Sequence, residues 1–515
     1  MLAKTFGGSV YGVDATIITV EVNVTQGTKL FMVGLPDNAV KESEQRVESS
    51  IKHLGYKMPR QKTIVNLAPA NIRKEGSAYD LSIALSILKA SDQIVAEELD
   101  KYIIMGELAL DGVLRPIKGV LPIAIEARKN DFKGFILPKE NADEAAIVNN
   151  LDVIGVETLE EAIGFLDKTQ RIEPVVKDTR DIFQDNVNHY EIDFSDVQGH
   201  ESVKRALEVA AAGGHNVIMI GPPGSGKTML ARRLSTILPP LSLQESLETT
   251  KIYSVAGRLN TKASLVAQRP FSSPHHTVSD VALVGGGTIP QPGQISLAHN
   301  GILFLDELPE FKRTVLEVMR QPLEDKVVTI ARAKGTVEFP ANFMLIASMN
   351  PSPSGDFYRS DGTHPDSLAS VQKYLSKVSG PLLDRIDIHI EVTPVPFEKI
   401  ADQDTKSESS EVIRQRVIAA REKQAARFNA LNKPTIHSNA MMPPKVAQEV
   451  CQIDQASKVL LKAAVDRLGL SSRAYDRILK VSRTIADLAG TENIQMEHIA
   501  EAIQYRSLDR QNMLG

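Results

Sequence analysis

Over its first third the chain alternates between two spacings of apolar residues. "DATIITVEVNV" switches between apolar and polar at almost every position, the period of a strand with one face buried. "LPDNAVKESEQRVESSIKHLG" follows with helical spacing; Asp37 is placed to cap that helix and Gly55 stands just past its end. "KTIVNLA" predicts another strand and "AYDLSIALSILKA" another helix. "IIMGELALDGVLRPI" predicts a hairpin turning at Asp111-Gly112. This order predicts a mixed α+β or α/β domain over residues 1–168. Residues 169–190 lack periodicity and predict a linker. A second α/β region follows over 191–400. The polar stretch "ADQDTKSESS" (401–410) predicts a connector, and from 411 to 515 the pattern is helical throughout. In "AYDRILKVSRTIADLAG", Ile478, Val481, Ile485 and Leu488 fall on one face before Gly490 ends the helix.

At 515 residues, two to four domains are expected. A net charge of -5 gives no overall attraction to a polyanion, so any nucleic-acid contact has to come from local patches. A single cysteine, Cys451, excludes an internal disulfide and a multi-cysteine metal site. No apolar run approaches the ~20 residues that span a bilayer, and the first residues lack signal architecture, so a cytoplasmic protein without membrane partners is expected.

Chemistry concentrates in the second region. In "NVIMIGPPGSGKTML" an apolar run leads into Gly221-Pro222-Pro223-Gly224-Ser225-Gly226-Lys227-Thr228, and a helix begins. This is the phosphate-binding G-x-x-x-x-G-K-[ST] loop in its strand–loop–helix context. Its glycines let backbone N–H groups curl around phosphate. Lys227 is expected to reach the β and γ phosphates of ATP, and Thr228 to ligate Mg²⁺. "NGILFLDELPEF" carries a second buried run that ends in Asp306-Glu307. One carboxylate is committed to the metal, so another must act on water; Asp306 takes the first role and Glu307 the second. Alone this pair would read as surface acids. "NFMLIASMN" delivers Asn350 to the same sheet edge, where a neutral amide can hold water or the γ-phosphate.

"SGPLLDRIDIHIEV" places Arg385 on a turn before another strand. It is expected either to act as an arginine finger in a neighbouring copy or to pair with Asp384 or Asp387. Arg473 falls in the first turn of a helix that Ser471 or Ser472 could cap. A cation there is unfavourable without an anion nearby, which suits a phosphate sensor; simple exposure is the other reading.

Loop, Asp-Glu strand, Asn strand, arginine turn and helical end, in this order, resemble an AAA+ ATPase. "RPFSSPHHTVSDVALVGGGTIPQPGQISLAHNGILFLDELPEF" is similar to the magnesium-chelatase-like branch, and within it to the YifB/ComM family, which "VNLAPANIRKEGSAYDLSIAL" and "RAYDRILKVSRTIADL" also resemble. The resemblance spans nearly the whole chain. It implies an AAA+ P-loop core with hairpin inserts, a Lon-protease-like (S5-type) α+β N-terminal domain and an all-α C-terminal lid. It also implies a homo-hexamer in the presence of nucleotide that moves on single-stranded and branched DNA and promotes branch migration during natural transformation. The alternative is a magnesium-chelatase-like motor that remodels a metal-inserting or other protein partner.

Lon-like enzymes use a Ser activated by a Lys. Here those positions fall on Ala78, within "KEGSAYD", and on Pro122, with Ser77 one residue away. A Ser without a positioned base is inert, so a non-proteolytic scaffold is expected; a protease or unfoldase is the competing class. Lys52, Lys57, Arg60, Lys62, Arg73 and Lys74 form a basic stretch without an intervening acid, readable as a phosphate-binding patch or as a solvated face. "VGGGTIPQPGQ" and "VVTIARAKGTVEF" resemble pore hairpins, and Arg332 and Lys334 of the second are candidate DNA contacts. His275-His276 lacks partners for a metal, and a structural or interface role is expected. "SMNPSPSGDFYRSDGTHPDS" stands where the family carries a cysteine-rich loop resembling a zinc knuckle. Ser352 and Ser354 replace the first two cysteines, hydroxyls ligate zinc poorly, and so no zinc and a mobile 352–378 loop are expected.

Overall fold

The computed structural model describes residues 1–74, 76–186, 190–259, 264–287, 290–332, 335–355, 366–396 and 407–506. It divides into two compact units, Met1–Val187 with Ser242–Ala267, and Asn188–Leu241 with Gln268–Gly515.

The first unit is built on a seven-stranded mixed sheet. Its strands are Leu2–Tyr11 (β1), Asp14–Thr25 (β2), Leu30–Val33 (β3), Lys62–Ala68 (β4), Tyr102–Ile104 (β5), Gly134–Pro138 (β6) and Asp152–Val156 (β7), in the order β3-β4-β2-β1-β5-β6-β7. The alternation in β2 buries Ile18, Val20, Val22 and Val24 on one face. Helices Asn38–His53 (α1), Asp80–Ala90 (α2) and Val120–Lys129 (α3) accompany the sheet. Asp37 caps α1 by accepting from the Val40 amide at 2.8 Å, as the sequence predicts. The expected hairpin at Asp111-Gly112 is present as Glu107–Leu108 against Leu114–Arg115, while Tyr102–Ile104 instead joins the main sheet. Within the expected linker, Val175 N–H donates to Val153 O at 2.8 Å, and a helix runs over Thr179–Asn186.

The second unit carries a five-stranded parallel sheet. Helices Glu201–Gly213 (α4) and Lys227–Ile237 (α5) flank Val217–Ile220 (β8); helix Leu243–Ala256 (α6) follows them in sequence but belongs to the first unit. Then come Phe271–Ser272 (β9), a small hairpin of Gly285–Gly286 (β10) and Gln291–Pro292 (β11), Ile302–Leu305 (β12), a hairpin of Val327–Arg332 (β13) and Gly335–Pro340 (β14), Met344–Met349 (β15) and Ile388–Glu391 (β16). The sheet order is β9-β12-β15-β8-β16. Strands β8, β12 and β15 are buried along their whole length, which explains their continuous apolar runs. The C-terminal helices include Ser410–Ala430 (α7), Gln455–Leu468 (α8), Ser472–Ala489 (α9) and Met496–Gln504 (α10). They share one apolar core with the sheet: Ile478, Val481 and Ile485 of α9 are buried beside Val417 and Phe428 of α7. Among the described residues no helix is long and apolar enough to cross a membrane.

Helix α6 is attached to the first unit through specific groups. Ser254 O accepts the Gly119 amide at 3.1 Å, Lys251 pairs with Asp14 at 3.2 Å, and Leu265 is buried in that unit's core. The chain therefore leaves the second unit after Leu241 and re-enters it at Gln268. Arg269 ties the two passages together: its guanidinium donates to Pro239 O at 2.5 Å, to Pro240 O at 3.3 Å and to Asn300 O at 2.7 Å.

Candidate functional site

In a parallel sheet the carboxyl ends of the strands open onto loops, and there ligands bind. Strand β8 leads into Gly221, β12 into Asp306-Glu307 and β15 into Asn350, all at the carboxyl edge of the sheet. A methyl group on Gly221 would lie 2.1 Å from Val392 O, so no larger residue fits; Gly224 and Gly226 hold φ of +77° and +86°. Lys227 is buried, and its ammonium donates to Gly221 O at 2.6 Å, Pro222 O at 2.8 Å and Asn350 Oδ1 at 3.3 Å. Burial lowers its pKa, and Asp306 and Glu307 oppose that shift. Thr228 Oγ1 donates to Asp306 Oδ2 at 2.9 Å, while the other Asp306 oxygen accepts from Ser348 Oγ. Glu307 stands at φ +55°, an uncommon conformation for a residue with a Cβ, and its amide donates to Ser348 Oγ at 3.3 Å.

These groups fit a nucleotide with its metal. Among the described residues the ammonium donates only to neutral oxygens, and the buried hydroxyl of Ser225, within the loop, has no protein partner. Adjacent Thr and Asp oxygens are the donors a hard divalent cation takes. A cavity of 370 Å³ adjoins the cluster, lined by Glu307, Asn350, Glu310, Tyr374, Lys373 and Lys377. Burial pushes the Tyr374 hydroxyl up to about 12.

Two participants escape sequence reasoning. Ser348 looks like one polar residue inside an apolar run, yet it links Asp306 to the Glu307 backbone. His276 Nδ1 stands 3.7 Å from Glu307 Oε2, its ring 4.1 Å from that of His275 and 6.5 Å from that of Phe311. Thirty-one positions separate the histidine from the glutamate, so only the pairing of β9 with β12 brings them together.

Arg385 and Arg473 lie elsewhere. Arg385 precedes β16, at the amino end of the sheet, a four-residue strand or ~13 Å away from the phosphate loop. Its guanidinium pairs with Glu324 and donates to Pro381 O at 2.7 Å; Asp387, one expected partner, is held by Arg477 instead. Ser471 caps α9, accepting from the Ala474 amide at 3.2 Å, and Arg473 is exposed in the first turn. Helix α9 passes beneath the amino ends of the strands, where Arg477 meets Asp387 and Thr484 meets His215. Arg473, one turn before Arg477, therefore shares that end of the sheet with Arg385 and not with Lys227.

The remaining candidates are dispersed. Arg332 is exposed at the end of β13, and Lys334 lies outside the described residues. The two insert hairpins meet: a methyl group on Gly286 would lie 3.1 Å from Arg332 Nη2. In the first unit, Lys74 leaves the basic stretch because it is fully buried, donating to the carbonyls of Pro69 and Ile72, and Lys52 is matched by Glu48. Ala78 precedes α2, Pro122 lies in α3, and Ser77 Oγ donates to Glu107. Ser352 is buried with its hydroxyl 3.0 Å from that of Ser354, and residues 356–365 lie outside the described residues.

A parallel sheet with a phosphate loop on one strand, a paired carboxylate on the next but one and a helical C-terminal region defines the magnesium-chelatase-like class of AAA+ proteins. "Magnesium chelatase, subunit ChlI" matches residues 193–400, "Subunit ChlI of Mg-chelatase" residues 20–141, and "Magnesium chelatase, subunit ChlI C-terminal" residues 407–506. The chain is 42% identical over 512 residues to the competence protein ComM of Haemophilus influenzae, covering 99% of this chain and 98% of the relative. It is 43% identical over 501 residues to the YifB protein of Escherichia coli, covering 97% and 96%. The chain belongs to the YifB/ComM family. A shorter likeness, 30% identity over 190 residues, links it to Lon protease 2 of Bacillus subtilis.

Proposed function

We propose that the chain is an ATP-hydrolysing motor that acts on DNA as a ring of identical subunits. The observation that carries the ATPase reading is the Lys227–Asn350–Asp306–Thr228 cluster at one sheet edge, with Glu307 beside it. Lys227 binds the β and γ phosphates in exchange for its carbonyl partners. Thr228 and Asp306 would hold Mg²⁺, which supplies neutralisation of phosphate charge when bound. Asn350 orients the attacking water, and Glu307 Oε2 takes its proton. Arg385 and Arg473, at the far end of the same sheet, serve the nucleotide of a neighbouring copy. A ring would supply that geometry, and it would bring the Arg332 hairpin tips of its copies around one channel. In such a ring six weak cationic tips sum to a strong local field.

Two lines support DNA as the track: likeness to a competence protein over the full chain, and the absence of a Ser–Lys pair at Ala78 and Pro122 that would favour proteolysis. Branch migration during natural transformation is the corresponding role. The test is strand exchange on a branched substrate with and without ATP. ATP-dependent exchange with ATPase stimulated by single-stranded or branched DNA is expected; turnover indifferent to both would end the reading. The names of the matching families favour one alternative, a chelatase-type motor that remodels a protein partner. Capture of a tetrapyrrole-handling subunit in place of DNA would select it.

A further inference from the structure

At the amino end of the core sheet one buried carboxylate joins four elements. Asp387 is 3% exposed and directly precedes β16. One of its oxygens pairs with Arg477 of α9; the other accepts the Asn216 amide at 2.9 Å and lies 3.6 Å from His215 Nδ1. The buried His215 meets Thr484 of α9 through Nε2 at 2.8 Å. Asn216, just before β8, spreads the connection. Its Nδ2 donates to Arg385 O at 3.1 Å, and its Oδ1 accepts the amide of Leu345, in the strand that leads to Asn350, at 2.9 Å. The partly buried Lys326 and Lys480 also face this carboxylate, so it is the negative centre of a cationic pocket.

The two cations assigned above to the neighbouring copy flank this centre. Arg385 is two residues before Asp387, and Arg473 one turn before Arg477. Neither is otherwise fixed to the other: Arg385 rests on the more than half-exposed Glu324, and Arg473 makes no ion pair among the described residues. We propose that Asp387 is a positioning residue that locks Arg385 and Arg473 into one rigid unit, through Asn216 on one side and Arg477 on the other, so that both reach the neighbouring nucleotide together. The proposal rests on the shared-site reading. A buried, multiply bonded carboxylate suits it, because such a group has few alternative partners and holds one geometry.

The test is complementation in mixed rings. Asp387→Asn removes the charge but keeps the shape, and alone it should lower ATPase turnover about 10²-fold, the cost of a ~1 Å misplacement of catalytic groups, with nucleotide binding unchanged. Its own phosphate loop stays intact, so mixing with Lys227→Ala, which retains good cations, should restore activity. Mixing with Arg385→Ala should restore none, since both partners lack a working cation pair. A merely structural defect would not separate the two mixtures. No rescue by Lys227→Ala, or equal rescue by both, would overturn the proposal. The control mixture of Arg385→Ala with Lys227→Ala distinguishes its failure from that of the shared-site reading: if that pair fails too, the shared site falls and this proposal with it. Should Asp387→Asn not fold, as judged by circular dichroism, Arg477→Lys, which keeps a cation beside Asp387 but not the guanidinium fork, takes its place with the same separation of the two mixtures expected.

Discussion

The two ends of the core sheet treat charge in opposite ways. At the carboxyl ends, Lys227 meets neutral carbonyls, Glu307 is half-exposed in a left-handed backbone, and Asp306 is held by two hydroxyls. These partners are weak enough to be exchanged for phosphate, metal and water. At the amino ends, Asp387 is buried and bonded on both oxygens. Arg477 and the surrounding donors hold its carboxyl far below the usual carboxylate range, against the upward push of burial. One end is built to change partners, the other to keep them. Chemistry and its alignment can thus be placed on opposite sides of one set of strands.

The contrast can be broken by substitution. The largest effect is expected for Arg385→Ala, a loss of about 10³-fold or more in turnover, read as steady-state phosphate release and partly restored by mixing with Lys227→Ala. Glu307→Gln comes next, with turnover down about 10²- to 10⁴-fold and ATP binding within a few-fold in a fluorescent-nucleotide titration; near wild-type turnover would show that another group is the base. Arg477→Met leaves Asp387 charged and buried without its guanidinium partner, which should cost up to about 3–5 kcal/mol in chemical denaturation, with Asp387→Asn in the same chain recovering part of it. The same pair fixes a pH dependence. A depressed folded pKa contributes stability that is present above the ordinary carboxylate value and lost as the pH falls through the range below it. The wild type should therefore lose stability on acidification more steeply than Asp387→Asn. The smallest effect is expected for His276→Gln, a few-fold change in turnover, because the histidine reaches Glu307 only at 3.7 Å. Unchanged turnover would leave the contact without consequence.

How much of this was legible in the sequence follows from how local each signal is. The phosphate loop, Asp306-Glu307 and the strand to Asn350 are each written within about ten consecutive residues, and the structure places them at one edge. The Asp37 cap and the buried face of β2 were equally readable, since cap and period are local. His276 beside Glu307 depends on strand pairing, which no periodicity encodes. Asp387 reads as a natural partner for Arg385, yet its partner is Arg477, 90 residues on, because α9 crosses under the sheet. Lys74 belongs by composition to a basic surface and is buried by a fold that turns its ammonium onto carbonyls. Helix α6 also misled: its sequence position suggests the nucleotide core, while Leu247 and Leu265 complete the hydrophobic core of the first unit.

That excursion of the chain has a consequence for anyone wishing to dissect the molecule. Cutting before residue 190 would not liberate the second unit, because α6 would remain attached with its buried face, Thr249, Thr250, Ile252 and Val255 among it, stripped of cover. A separable core needs a second excision, of residues 242–267. Arg269 already holds the two stumps of that cut together at Pro239 and Pro240, so a short Gly-Ser bridge should close the gap.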